Sequence, residues 1–181
     1  MTNTYETQIC ETTPGVKSYS GYVNLPPDPS EDRDFDTHTF FWFFESREDP
    51  ENAPLSIWVQ GGPGVPSITA ALGENGPCDV AEDSRSTQVS PWSWNGKVNM
   101  LYIDQPVQVG FSYDTLVNGT INEIDSPFLV DVHDFTESGV PETNSTYLTG
   151  TFSSQDPSGA INTTSKAAAV IWHLMQTWTQ E

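Results

Sequence analysis

Apolar and polar residues alternate through residues 21–25 (Gly-Tyr-Val-Asn-Leu) and the alternation stops at Pro26-Pro27, which predicts a short strand. An acidic turn follows over residues 28–36. Residues 37–44 are dominated by Phe and Trp and predict a strand that is apolar on both faces, and therefore buried. A charged turn over residues 47–54 leads to a third strand at 55–59, which runs straight into Gly61-Gly62-Pro63-Gly64. A fourth strand over 98–103 ends at Asp104-Gln105-Pro106. Residues 1–20 read as polar and turn-rich. From 114 to 161 the chain is rich in Ser, Thr, Asn, Asp, Gly and Pro and reads as a long polar insertion, a length of connection that is usually functional or exposed. Thr164 or Ser165 then caps a helix that extends to Trp178, with Ala167, Ile171, Leu174 and Trp178 on one apolar face.

Strands come first and the helix last, with no internal repeat, which indicates an α/β sheet whose later strand-helix units are not present. Composition agrees with a folding chain: 35% of the 181 residues are hydrophobic and 12% aromatic. Charge narrows the partners. With 25 acidic residues against 6 basic, the formal charge is −19, and such a polyanion is repelled by nucleic acid and by anionic membranes. Nucleic-acid binding is excluded on that ground. No run approaches the roughly 20 apolar residues of a membrane span.

Residues 1–9 are polar and carry no readable signal peptide. Three sequons, at Asn118, Asn144 and Asn162, nevertheless fit a glycosylated chain. Cys10 and Cys78 are compatible with one disulfide in an oxidising compartment or with two independent thiols. Three scattered histidines and two distant cysteines show no metal-ligand spacing, so no metal is expected.

The chemistry concentrates where the third strand meets the glycine turn. Lacking Cβ atoms, Gly61 and Gly62 let a substrate approach the backbone and can aim N–H groups at a developing oxyanion. Gly and Pro also punctuate ordinary turns, and from the local composition alone a turn is the simpler reading. Wider context changes that. Residues 58–78 (WVQGGPGVPSITAALGENGPC), then Trp92-Ser93-Trp94-Asn95 and residues 100–113 (MLYIDQPVQVGFSY), resemble the N-terminal portion of the serine carboxypeptidases. These are α/β-hydrolase peptidases of secreted, vacuolar or lysosomal location. The similarity spans residues 18–113 and the terminal helix, with the blocks in the family's order.

The resemblance implies the N-terminal part of an α/β-hydrolase fold, a mixed sheet with early antiparallel strands, incomplete. Residues 18–113 would supply the sheet and oxyanion loop, 114–161 the insertion, and 164–178 the helix that precedes a missing nucleophile strand. It assigns Gly62 as an oxyanion-hole amide and Gly61 to the turn and to substrate binding. Gln60 stands where the family has an Asn that hydrogen-bonds the peptide's terminal carboxylate, so the clamp is shifted by one methylene. Trp58 resembles the Trp that supports this residue, and Glu74 matches a glutamate of the same network. A carboxyl group donates to another carboxylate only when protonated, so peptidase action at low pH would follow. No cofactor is implied; the substrate is a peptide or protein C-terminus, and the location is the secretory pathway, extracellular or vacuolar. The alternatives are an acyltransferase on the same fold and a truncated product without catalysis.

Asp104 resembles a structural Asp-x-Pro turn of the family. Ser112 lies in a run that lacks the last Gly of a G-x-S-x-G elbow, and is not a nucleophile. No such elbow occurs in the chain, and His38, His133 and His173 all precede the place of the family's base. The chain is expected to be catalytically incomplete by itself. Its Phe40 to Phe44 strand is expected to leave apolar area uncovered, and the isolated product to be marginally stable.

Overall fold

The computed structural model describes residues 2–62, 64–124 and 128–180. Ten strands and two helices are β1 (Thr2–Thr7), β2 (Ser18–Leu25), β3 (Thr37–Phe44), β4 (Leu55–Trp58), β5 (Cys78–Val80), β6 (Thr87–Val89), β7 (Asn99–Ile103), β8 (Leu116–Asn122), β9 (Val130–Val132), α1 (Phe135–Ser138), β10 (Tyr147–Ser153) and α2 (Thr164–Trp178). The main sheet has the order β1-β2-β3-β7-β4. Its first pairings are antiparallel and the β4–β7 pairing is parallel, which makes the mixed sheet expected of this fold class.

Alternation along β3 and β7 divides the core between the two faces of this sheet. Val23, Leu25, Phe41, Leu101 and Ile103 face α2, where they meet Val107, Ile161, Val170 and Leu174. Trp42, Phe44, Met100 and Tyr102 face the other way, onto Cys10, Ala70, Ala71 and Cys78. β3 is thus covered on both sides, and the expectation of uncovered area at Phe40 to Phe44 is corrected: Phe41, Trp42 and Phe44 are 1%, 5% and 0% exposed. β2 and β7 pair with both edges of β3, and the segments that cap the sheet are already present within these residues. Exposed apolar side chains sit instead at the sheet edge, on Leu55, Ile57 and Val59.

α2 is capped by Thr163, whose side chain accepts a hydrogen bond from the Lys166 amide. Val170 and Leu174 are its buried residues, with Ala167, Met175 and Trp178 packed alongside. The buried stripe passes through Val170 instead of the expected Ile171, because the helix turns Trp178 onto Phe41 and Phe43 (centroids 6.3 and 5.3 Å).

Two further corrections concern segments read as turns or loop. Within residues 1–20, β1 forms an edge strand on β2, needing backbone bonds and no apolar face of its own. The segment 114–161 is not simply a polar connection, since β8, β9 and β10 form a separate antiparallel sheet of order β10-β8-β9. Its register places Val117 opposite Phe152, and Ile121 opposite Leu148 and Val130, so one face is apolar despite the polar composition. No helix of the described residues is long and apolar enough to cross a membrane.

Candidate active site

β4 delivers Trp58 and Gln60 to the glycine turn, and a single wide helical turn, Ala70–Glu74, delivers Glu74. The two come together. The Trp58 indole donates from Nε1 to Gln60 Oε1 at 3.0 Å, and Gln60 donates from Nε2 to Glu74 Oε2 at 2.9 Å. Trp94 packs edge-on against Trp58 at 5.3 Å. Gln60 therefore has its carbonyl engaged and one amide proton committed, which leaves one N–H. Gly61 and Gly62 are exposed beside it; Pro63 lies outside the described residues.

Three successive residues at the end of β7 hold the loops that carry this relay. The Tyr102 hydroxyl donates to Asn75 Oδ1 at 3.2 Å. The Ile103 carbonyl accepts from Ser67 Oγ at 2.5 Å, and Ser67 Oγ in turn accepts from the Gln60 amide at 2.9 Å. Asp104 Oδ1 accepts from the Ile68 amide at 3.0 Å, while its Oδ2 accepts from the Phe111 amide at 3.1 Å. Burial pushes the Asp104 carboxyl above its ordinary value, against the opposing pull of the Phe111, Ile68 and Ser67 amides. Burial, with the Glu74 charge second, pushes the Tyr102 phenol well above its ordinary value, so Tyr102 acts as a neutral donor.

Behind Glu74 the chain is fixed by close contact and by a buried charge. A Cβ on Gly76 would lie 1.9 Å from the Ala71 carbonyl oxygen, so only glycine fits. Cys10 and Cys78 form a disulfide with Cα atoms 5.1 Å apart. Next to it, Glu11 accepts from Arg47 Nε at 2.8 Å and from Asn95 Nδ2 at 2.7 Å. Arg47 also donates to the Pro77 and Ser90 carbonyls. Burial raises the Glu11 carboxyl, but the bonds from Thr13, Asn95 and Arg47 outweigh it and hold the group below the ordinary glutamate value.

Ser112 is fully buried, donates to the Asp104 carbonyl at 2.6 Å and accepts from the Phe40 amide at 2.8 Å. Both sides of its hydroxyl are occupied by structure. The histidine rings are engaged by other side chains: His38 meets Asn24 at 2.6 Å, His173 meets Glu31 at 2.9 Å, and His133 meets Asp131 at 3.2 Å. His173, Glu31 and Asp28 bring ligand-type atoms within 4.8 Å of one another, which sequence spacing did not suggest, though the arrangement is an acidic cluster at the surface. Asn118, Asn144 and Asn162 are all exposed. Sequence reasoning gave no role to Ser67, Asn75 and Tyr102, although all three lie within the blocks that carry the resemblance; alternation along β7, which puts Tyr102 on the face of Ala70 and Ala71, was the available signal.

A family profile described as serine carboxypeptidase matches residues 9–180. Among curated proteins, carboxypeptidase S1 homolog A of Arthroderma otae is 55% identical over 97% of this chain and 27% of the relative. A carboxypeptidase Y homolog of Arthroderma benhamiae is 47% identical over 92% of this chain and 26% of the relative. A solved structure of Kex1(Δ)p, a prohormone-processing carboxypeptidase from Saccharomyces cerevisiae, is 34% identical over 51% of this chain and 20% of that chain, with a TM-score of 0.41. The chain thus spans about a quarter of the length of the curated relatives it matches.

Proposed function

Because the chain belongs to the serine carboxypeptidase family, we propose that it supplies the substrate-terminus seat and one oxyanion donor of a serine-type carboxypeptidase. The observation that carries this reading is the Trp58–Gln60–Glu74 relay beside Gly61 and Gly62. In it, the remaining Gln60 N–H donates to the terminal carboxylate of a peptide, and Glu74, which accepts the other Gln60 N–H, orients that amide. Gly62 offers its amide to the oxyanion of the tetrahedral intermediate, and Gly61 leaves the approach open. Trp58 fixes which end of the Gln60 amide faces the substrate. The nucleophile, acid and base are contributed by residues beyond those motifs, and this chain acts in acyl transfer only together with them.

The disulfide and the three exposed sequons support a location in the secretory pathway or a vacuole.

The test compares, in the intact protein, hydrolysis of a blocked dipeptide with a free C-terminus and of its C-terminal amide. Gln60→Ala and Glu74→Ala should raise KM for the free acid about tenfold or more, since hydrogen bonds to a charged group are being lost, and leave the amide within about twofold. Equal losses on both substrates, or none on either, would overturn the assignment.

A further inference from the structure

The Trp92-Ser93-Trp94-Asn95 turn closes the Trp58–Gln60–Glu74 relay into a circuit. From Glu74 the path follows the peptide bond to Asn75, whose carbonyl accepts from the Trp94 amide at 3.1 Å. The Trp94 indole then meets Trp58 edge-on, with ring centroids 5.3 Å apart and planes at 88°. Trp58 donates to Gln60 Oε1, and Gln60 donates to Glu74 Oε2, which completes the circuit. Trp94 thus touches the relay at both ends, with its main chain beside Glu74 and its ring against Trp58.

The turn has a frame of its own. Ser93 Oγ accepts from the Asn95 amide at 3.3 Å and donates to Asn95 Oδ1 at 2.6 Å. Asn95 has no exposure; it donates to Glu11 Oε2 at 2.7 Å and to the Glu45 carbonyl at 3.0 Å, while its own carbonyl accepts from the Arg47 amide at 2.7 Å. These anchors lie in the N-terminal segment and just past β3, so Trp94 is held independently of β4, which carries Trp58 and leads to Gln60. Trp94 is 51% exposed, whereas Trp92, two residues away and no part of the circuit, is 87% exposed.

A half-turn of the Gln60 carboxamide would set N–H against the Trp58 N–H and carbonyl oxygen against the Glu74 carboxylate. Its orientation therefore lasts only while the Trp58 donor stays in place. The terminal torsion of an aromatic side chain has broad minima and does not fix that donor by itself. The perpendicular Trp94 ring supplies the missing restraint. We propose that Trp94 is a positioning residue: by holding the Trp58 ring, it keeps the free N–H of Gln60 directed at the substrate's terminal carboxylate. The identity of that ligand rests on the terminus-seat reading.

The experiment uses the intact protein with Trp94→Ala, Trp94→Phe and Trp92→Ala. Hydrogen exchange read by NMR without substrate should be about fivefold faster at the Trp58 indole and the Gln60 carboxamide in Trp94→Ala, with the Trp178 indole, on the other face of the sheet, unchanged. KM for the blocked dipeptide with a free C-terminus should rise about fivefold, with kcat and hydrolysis of the C-terminal amide within about twofold. Trp94→Phe keeps an aromatic edge and should bring both readouts back to within about twofold of the parent, and Trp92→Ala should move neither. In a Gln60→Ala background, Trp94→Ala should add nothing to KM, because the group it positions is gone. Unchanged exchange at Trp58 and Gln60, an equal effect of Trp92→Ala, or additive losses in the double variant overturns the proposal. Where Trp94→Ala fails to fold, Trp94→Leu, which fills the space without an aromatic edge, takes its place. Failure of the exchange arm sinks this proposal alone, whereas a Gln60→Ala variant that keeps the parent's KM for the free acid sinks the terminus seat.

Discussion

Replacing both Cys10 and Cys78 by Ala opens the one covalent tie between the N-terminal segment and the loop behind Glu74. The bond closes a loop of sequence separation 68. In the chain-entropy account, freeing a loop of that size raises the entropy of the unfolded chain by about 4.4 kcal/mol at 25 °C. Both sulfurs lie in the core cluster under β3 and β7, so alanine adds a small packing loss in the same direction. The ion pair of Glu11 with Arg47, and the Arg47 bond to the Pro77 carbonyl, tie the same two segments without covalent help. They persist in the variant, so the fold survives with lower stability. With an m-value of about 2 kcal/mol/M in urea, the unfolding midpoint should fall by about 2 M, and m should rise as the uncrosslinked unfolded chain exposes more surface. Equilibrium unfolding followed by tryptophan fluorescence measures this, and a thiol titration of the denatured, unreduced parent should find no free thiol. A midpoint lowered by less than about 0.5 M would refute the reasoning, since loop closure would then contribute little beyond what the unfolded chain already retains.

Gly76→Ala should cost about 3 kcal/mol or more, because its Cβ meets backbone oxygen that no side-chain rotation can clear; thermal unfolding checks the stability, and the free-acid KM checks the displacement of Glu74. Glu11→Gln should cost about 3 kcal/mol at pH 7 by leaving Arg47 without its buried counter-charge. The Glu11 carboxyl is held below its ordinary value in the folded state, so its contribution is full above the unfolded value and lost as pH falls through the lower, folded one. Urea titrations across that acidic window should therefore show the difference between parent and variant shrinking as pH decreases; a constant difference would contradict the ion-pair account. Leu174→Ala, at a residue with no exposure on the buried stripe of α2, should cost about 2–5 kcal/mol, and a loss under 1 kcal/mol would show that α2 does not cover the sheet.

The strands that carry the main sheet were legible because their periodicity and their terminators agree: Pro26 stops β2, Pro54 precedes β4, and Pro106 follows β7. α2 was legible from its cap and its 3.6-residue period, with an error of one position in the buried stripe, Val170 for Ile171. β1 and the β8–β10 sheet were not. In β8 and β10 the inward positions read Val117-Gly119-Ile121 and Leu148-Gly150-Phe152, a clean alternation interrupted by glycine and set among Asn and Thr. Composition there signals loop, whereas pairing of the two glycine-broken rows makes a face that neither strand displays alone. At the site, Gln60, Glu74 and Trp58 were found through resemblance, and their mutual bonds required the structure. Ser67 was invisible because its partners, Gln60 and Ile103, lie 7 and 36 residues away.

The arrangement at the end of β7 explains why these pieces form one site. Tyr102, Ile103 and Asp104 reach, in order, the Glu74 loop through Asn75, the glycine loop through Ser67, and the same loop again through Ile68. Adjacent strand residues project to opposite faces, so three consecutive positions use a side-chain hydroxyl, a main-chain carbonyl and a buried carboxylate to grip loops that a single face could not reach. β4 lies parallel to β7, and both strands end at this edge, where α/β sheets leave a crevice for ligands. The same carboxylate of Asp104 extends the grip to Phe111, so one buried side chain ties the glycine loop and the segment after β7 to a single strand end.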